Sequence, residues 1–163
     1  MKQTEAIAEI AKKHDLIVLT DHIYSELTYG AMTPSIATLP GMKERTIFLH
    51  GFSKAFAMTG LRIGYACGPE DIIDAMMKIH QYSMLCAPVT SQDAAEEALL
   101  SAKNDMERMR DEYKIRRGVI VKRLNAMGLD CLMPNGSFYV FPDISGFGLS
   151  SEEFCRRMIQ EAK

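Results

Sequence analysis

The sequence predicts a layered α/β fold, because helical and extended segments alternate along the first half of the chain. An amphipathic helix over residues 3–14 precedes a short apolar run at Leu16–Leu19. Two further strand candidates follow at Thr46–Leu49 and Arg62–Ala66. The first two apolar runs lead directly into polar residues, as buried strands do where they leave an open sheet. We therefore expect helices packed in layers on a single sheet.

Length, composition and charge limit the classes of function. A chain of 163 residues with 47% hydrophobic positions is typical of one globular domain, or of one domain with a small second unit. Its 19 basic and 21 acidic residues give a net charge of −2, which offers no electrostatic field for nucleic acid or anionic lipid. The N-terminus is too polar for a signal peptide, and no apolar run is long enough to span a membrane. We expect a cytoplasmic protein without nucleic-acid or membrane partners.

The cysteines and histidines give no sign of a disulfide framework or a metal site. Four cysteines occur without a C-x-x-C pair, which favours reduced thiols, and four histidines are scattered without metal-ligand spacing. We therefore predict no metal ion.

Each predicted helix is indicated by apolar spacing and by the residues at its ends. In the first helix, Ala6, Ile7, Ile10 and Ala11 recur at intervals of three and four and form the apolar face. The segment after Gly68-Pro69 repeats this spacing through Ile72, Ile73, Met76, Met77 and His80, which predicts a helix following the third strand.

Residues 91–127 predict one long helix that joins two domains. Apolar residues keep a helical period there without a proline, and Gly128 stands where a C-terminal cap belongs. A helix of this length usually leaves one domain and enters another, so we place a boundary near residue 115. Residues 1–115 then form one domain and residues 116–163 a smaller α+β unit. The alternative is two helices that break around Gly118.

The C-terminal segment predicts a hairpin and a closing helix. Segments 129–133 and 137–141 flank Pro134-Asn135-Gly136, and Asn-Gly is a strong turn signal. A last helix begins at Ser150 or Ser151, with acidic residues in its first turn and Phe154, Met158 and Ile159 on its inner face.

Residues capable of chemistry stand at two predicted strand ends. Asp21 follows the first strand, and Ser53-Lys54 follows the second. Ligands of open α/β sheets bind outside the carboxyl ends of the strands. Asp21 and Lys54 could form a structural ion pair there, or Lys54 could act as a nucleophile where its surroundings favour the neutral amine. Arg62 could be the neighbouring cation or could hold an anion. Spacing alone leaves these alternatives open.

Three motifs carry a resemblance to a known family. They are residues 21–27 (DHIYSEL), residues 51–65 (GFSKAFAMTGLRIGY) and residues 135–142 (NGSFYVFP). In this order and with this spacing the chain resembles the class I/II aminotransferases, which are pyridoxal-phosphate enzymes of fold type I. The resemblance extends over essentially the whole chain. It implies part of a three-layer α/β/α large domain and part of a small α+β domain, connected by a long helix.

The resemblance also implies roles for individual residues. Lys54 would be the catalytic residue, binding the aldehyde of pyridoxal 5'-phosphate and then moving a proton on the substrate. Asp21 would pair with the ring nitrogen, and Tyr24 would donate a hydrogen bond to the phenolic oxygen. Ser53 and Arg62 would hold the phosphate. The partners would be an amino acid, a 2-oxo acid and a second subunit, since the family works as homodimers.

Parts of the family pattern are missing from these residues. The resemblance implies a chain without the N-terminal part of the cofactor site and without the C-terminal arginine that binds the substrate carboxylate. We therefore expect an inactive fragment that self-associates through exposed strand edges and core surface. A β-lyase, a decarboxylase or a non-catalytic scaffold domain are the alternatives, and substrate preference is not readable.

Overall fold

The computed structural model describes residues 2–31 and 34–162. Residues 1 and 163, at which the predicted domain ranges 1–115 and 116–163 begin and end, lie outside this part. The helices are α1 (Lys2–Lys13), α2 (Glu70–Ser83), α3 (Val89–Ser101), α4 (Lys103–Ala126) and α5 (Ser151–Glu161). The strands are β1 (Val18–Asp21), β2 (Thr46–Gly51), β3 (Gly64–Cys67), β4 (Asp130–Cys131) and β5 (Pro142–Asp143). Among the described residues, no helix has both the length and the apolar character needed to cross a membrane.

The main sheet has β2 at its centre. Strand β1 runs parallel to β2, with Asp21 opposite Leu49, and β3 runs antiparallel to it, with Gly64 opposite Gly51. All three predicted strands are confirmed. However, β1 begins two residues later than the sequence predicts, because the backbone N–H of Leu16 still bonds to the carbonyl of Ala11 and closes the end of α1.

Helix α1 is confirmed, but the prediction of which residues form its buried face is wrong in part. The residues that it buries are Ala8 and Ala11, which pack against Ile36 and Met42. Ile7 and Ile10 stay more than half exposed.

The long helix predicted over residues 91–127 is two helices, so the single-helix prediction is wrong. The break is at Ala102 (φ −91°, ψ 15°), and α4 runs through Gly118, so the alternative also misplaced the break. The N–H of Ala102 bonds to Ala98, and its carbonyl accepts from Met106, so hydrogen bonding continues on both sides. Gly128, with φ +82°, follows the end of α4 as predicted.

The predicted hairpin around Asn135-Gly136 is wrong. Strands β4 and β5 do pair antiparallel, but ten residues separate them, and Gly136 forms a bridge with Thr28 instead. A tight Asn-Gly turn needs positive φ at both residues. Here the positive φ falls on Ser137, and a Cβ on Gly136 would lie 3.3 Å from the Leu27 carbonyl oxygen. Gly136 therefore permits a close backbone approach rather than a turn.

Helix α5 begins as predicted but buries less than predicted. The Ser150 hydroxyl accepts a hydrogen bond from the N–H of Glu153, which is an N-cap, and Phe154 contacts Phe147 at 5.4 Å between ring centroids. The expected inner residues Met158 and Ile159 are 53% and 79% exposed.

The chain exposes more surface than its mass requires. Its accessible area is 11941 Å², whereas a compact monomer of 18.3 kDa has about 8,100 Å². The buried residues form small clusters, and one of them joins Phe52 to Ala95 and Ala98 of α3. Much apolar surface is therefore uncovered, including Leu19 on β1 and Tyr82 on α2.

We expect Gly64→Ala to destabilise the sheet. A Cβ at position 64 would lie 2.8 Å from the backbone oxygen of His50, so the β2–β3 pair would have to move apart. The free energy of unfolding in urea should fall by about 1–3 kcal/mol. The matched control is Gly60→Ala, because a Cβ at Gly60 meets nothing within 4 Å. Equal unfolding midpoints for the two variants would contradict this account.

Candidate functional site

The candidate residues lie at one edge of the main sheet. The parallel strands β1 and β2 both end at this edge, so Asp21 and the Ser53-Lys54 segment leave the sheet side by side. Because β3 is antiparallel, it begins there, and Arg62 lies just before it. The register of three strands therefore gathers residues from three separate segments.

Lys54 lies half-buried in the turn after β2, between two aromatic rings. Its Nζ is 6.0 Å from the ring centroid of Tyr24 and 5.5 Å from that of Phe138. The structural alternative of an Asp21–Lys54 ion pair is not found. Across residues 2–31 and 34–162, no carboxylate lies within 4.0 Å of the Lys54 amine.

Asp21 holds the turn that follows β1. Its Oδ1 accepts a hydrogen bond of 2.9 Å from the N–H of Ile23, which is an Asx turn, and the side chain is otherwise exposed. This bond fixes the direction of the carboxylate and leaves acceptor capacity for a ligand.

Tyr24 forms a hydroxyl pair with Tyr139. The two hydroxyl oxygens are 3.0 Å apart, and the rings meet edge to face with centroids 5.8 Å apart. The hydrogen bond to Tyr139, together with burial, raises the pKa of Tyr24 to about 12. Tyr24 therefore stays protonated at neutral pH and can donate a hydrogen bond.

Arg62 and Ser53 complete the predicted set. Arg62 has a left-handed backbone (φ 51°, ψ 52°), and its Nη1 donates to the carbonyl of Thr59 at 2.8 Å. Leu61, the residue before Arg62, is held in place by α3: the buried hydroxyl of Ser91 donates to the Leu61 carbonyl at 2.8 Å. The guanidinium remains exposed and is available to an anion, and Ser53 lies half-buried beside Lys54.

The segment Pro134–Tyr139 supplies two aromatic walls to which the sequence analysis gave no role. The N–H of Tyr29 bonds to the Asn135 carbonyl, and the N–H of Ser137 bonds to the Leu27 carbonyl, both at 2.9 Å. This pairing brings Phe138 and Tyr139 to Lys54 and Tyr24. The sequence marked this segment twice, as a turn through its Asn-Gly dipeptide and as one of the three family motifs (residues 135–142), but neither signal gave Phe138 or Tyr139 a place beside Lys54.

A histidine–carboxylate pair behind the site was also missed. His50 Nε2 and Glu26 Oε1 are 3.1 Å apart, with both side chains largely buried. Burial alone would raise the pKa of Glu26, but hydrogen bonds from His50 and Ser25 outweigh it and lower that pKa. His22 stacks on Phe48 nearby, and burial together with the charge of His50 lowers the pKa of His22.

Open space lies next to this edge. A cavity of about 580 Å³ is lined by Asp21, His50, Tyr65 and residues of α2. A groove of about 660 Å³ separates the chain after Lys54 from α4. Volumes of this order suit a small-molecule ligand.

Comparisons with known proteins agree on one family. The family model described as aminotransferase class I and II matches residues 1–163. The YugH protein of Bacillus subtilis is 52% identical over 162 residues, and an aromatic-amino-acid aminotransferase of Thermococcus litoralis is 46% identical over 165 residues. Each match covers 99% of this chain but 42% of the relative, so the chain spans less than half of their length.

A solved structure gives the same result. The crystal structure of the aromatic aminotransferase from Pyrococcus horikoshii matches with a TM-score of 0.95 and 45% identity. The match covers 99% of this chain and 44% of that one. The α/β fold of the sequence prediction is therefore confirmed as that of these aminotransferases.

We expect His22→Gln to reduce the acid sensitivity of the fold. A lowered pKa in the native state means that protonation of His22 favours unfolding. The stability that neutral His22 contributes to the fold is fully present above pH 6.5, its ordinary pKa. It is lost as the pH falls toward the lower pKa that His22 has in the native state. Urea unfolding between about pH 7.5 and about pH 5.5 should show a shallower loss of stability in the variant. His14→Gln, at the exposed end of α1, should keep the parental slope; a parental slope in His22→Gln would refute this role.

Proposed function

Because the family model matches its whole length, this chain belongs to the class I and II aminotransferases, and we propose that it serves the transfer of an amino group from an L-amino acid to a 2-oxo acid, with pyridoxal 5'-phosphate as the cofactor. The observation that carries the proposal is the Lys54 amine. It lies between Tyr24 and Phe138 without a carboxylate partner among the described residues, at the sheet edge where Asp21 and Arg62 also lie.

The residues at this edge fit the cofactor by their chemistry. A molecule with an aldehyde, a ring nitrogen, a phenolic oxygen and a phosphate calls for an amine, a carboxylate, a hydroxyl donor and a cation. Lys54, Asp21, Tyr24 and Arg62 supply one group of each kind, and Ser53 adds a further donor. The Asp21 carboxylate keeps free acceptor capacity, and the exposed Arg62 guanidinium keeps free donors.

The proposed roles of the side chains follow from these groups. When bound, the cofactor supplies an electron sink for the charge that develops at the substrate Cα. Lys54 would hold the aldehyde carbon and, once displaced by the substrate amine, carry a proton to and from Cα. Asp21 would keep a proton on the ring nitrogen, where a neutral partner would stabilise the positive charge far less. Tyr24 would orient the phenolic oxygen, and Ser53 and Arg62 would anchor the phosphate.

We propose that the 163 residues by themselves turn over little or no substrate. The chain spans 42% of the length of the relatives it matches, and its accessible area exceeds that of a compact monomer by roughly 3,800 Å². The side chains of Asp21 and Arg62 are exposed, so water competes for each of their contacts with a ligand. A complete site would need further walls to exclude that water.

We further propose a cytoplasmic location and a homodimeric assembly for the active protein. The four cysteines are free thiols, which suits a reducing compartment. Apolar side chains on α2 and α3 such as Ile79, Tyr82 and Leu100 are more than 70% exposed and offer surface for a second subunit.

We expect pyridoxal phosphate to label Lys54 in preference to the other lysines. After mixing, reduction with borohydride and peptide mapping, the adduct should be found on Lys54 and should be lost in Lys54→Arg, which keeps the charge but not the nucleophilic amine. Lys78→Arg, an exposed position on α2, is the matched control and should label as the parent does. In parallel samples without borohydride, release of 2-oxo acid from an amino acid should not exceed that of Lys54→Arg. Label spread evenly over surface lysines would contradict the proposed site.

We expect the chain to self-associate in solution. Its uncovered apolar surface loses contact with water when copies pack together, which is favourable by about 25 cal/mol per Å². Size-exclusion chromatography with light scattering should report a mass above 18.3 kDa that rises with concentration. A single 18.3 kDa species at every concentration would overturn this expectation.

A further inference from the structure

The hydroxyl pair of Tyr24 and Tyr139 joins two parts of the chain at the lysine. The two residues are 115 positions apart in sequence, yet their hydroxyl oxygens lie 3.0 Å from each other. Phe138, next to Tyr139, contacts the Tyr24 ring edge to face at 5.4 Å and forms one wall around Lys54. Tyr139 is therefore placed to act on Tyr24, and through Tyr24 on a ligand at Lys54.

Backbone geometry directs Tyr139 toward this position. Ser137 has φ +61°, an uncommon left-handed conformation for a residue other than glycine. Its hydroxyl accepts a hydrogen bond of 3.2 Å from the N–H of Tyr139. The sharp change of direction at Ser137 turns the next two side chains toward the site instead of along a strand. A strained backbone of this kind persists where the surroundings hold it.

A second contact, here called the Tyr29–Arg117 clip, holds Ser137 in place. The Tyr29 hydroxyl donates to the Ser137 carbonyl at 2.5 Å. Arg117 of α4 lies over the Tyr29 ring at 4.4 Å, and its Nη1 donates to the Pro134 carbonyl at 2.6 Å. Burial raises the pKa of Tyr29, which keeps its proton available for this bond. The clip thus holds the segment at Pro134 and at Ser137, two residues before Tyr139.

We propose that Tyr139 is a positioning residue that holds the Tyr24 hydroxyl for its task at the Lys54 site, and that the Tyr29–Arg117 clip keeps Tyr139 in reach. The proposal rests on the proposed function for the identity of the ligand. A hydroxyl can donate one proton and accept two, and its proton rotates to suit its neighbours. In the free chain the Tyr24 hydroxyl donates to Tyr139, which holds the Tyr24 oxygen beside Lys54. When a ligand offers an acceptor oxygen, the Tyr24 proton rotates to that oxygen and Tyr139 donates to Tyr24 in turn. Hydrogen bonds in such a chain strengthen one another.

The first test needs no cofactor and uses the whole chain labelled with 3-fluorotyrosine. Fluorine NMR resolves the six tyrosines, which single Tyr→Phe variants assign. Fluorination makes the phenol more acidic and moves its titration to milder pH. In the parent, Tyr24 should titrate above an exposed tyrosine, and Tyr139→Phe should lower its midpoint by about one unit, which is a tenfold change in acidity.

Two further variants separate positioning from general damage to the fold. Tyr29→Phe removes one hydroxyl of the clip and should lower the Tyr24 midpoint in the same direction but by less. Tyr82→Phe is the matched control, because Tyr82 is 94% exposed, and it should leave the Tyr24 signal unchanged. Should Tyr139→Phe fail to fold, Tyr24→Phe gives the reciprocal measurement. Loss of the contact with the Tyr24 hydroxyl should then shift the fluorine resonance of Tyr139, and an unshifted resonance would overturn the proposal.

The second test follows the pyridoxal phosphate adduct by its visible absorbance as the pH is varied. A donor at the phenolic oxygen favours the deprotonated adduct, so loss of positioning in Tyr139→Phe should raise the adduct midpoint, by a two- to tenfold change in acidity. An unchanged Tyr24 titration in Tyr139→Phe overturns the proposal, as does an unchanged adduct midpoint. If no adduct forms on Lys54, the proposed function fails, and the fluorine titration alone decides whether Tyr139 positions Tyr24.

Discussion

The site depends on the pairing of β2 with both of its neighbours. The parallel register with β1 brings Asp21 level with Leu49, and the antiparallel register with β3 sets Gly64 against Gly51. These hydrogen bonds leave two strand ends and one strand start at the same edge. A shift of one residue in either register would turn every side chain of that strand to the opposite face. The chemistry proposed for Lys54 would therefore depend on backbone pairing in which no side chain of the proposed site takes part.

The sequence was sufficient where local patterns decide the structure. Three strands, the helix after Gly68-Pro69 and the N-cap at Ser150 could be predicted because each is encoded within a few residues. The edge position of Asp21 and Lys54 could also be predicted, since polar residues directly follow apolar strands. The family could be recognised from the sequence because three motifs occur together in one order, and no single motif was sufficient.

The sequence was insufficient where a distant partner decides the structure. Asn135-Gly136 favours a hairpin turn locally, but pairing with Leu27–Tyr29 holds it in an extended segment instead. The break at Ala102 has no breaker residue; Ala95 and Ala98 pack on Phe52 before it, and α4 continues beyond it. Ile7, Ile10, Met158 and Ile159 matched helical apolar faces, yet the described residues do not cover them. Such burial is a property of neighbours and cannot be derived from periodicity.

The distance along the chain between Tyr24 and Tyr139 also sets the order of assembly during synthesis. Closing a loop of 115 residues costs about 2 kcal/mol more than closing one of ten, so contacts within each part form first. At 5–20 residues per second, a ribosome adds Tyr139 roughly 4 to 17 s after Lys54. For that interval the nascent chain carries the lysine without the Phe138 wall and without the partner of Tyr24. Its amine is open to any small aldehyde in the cell until the later segment arrives.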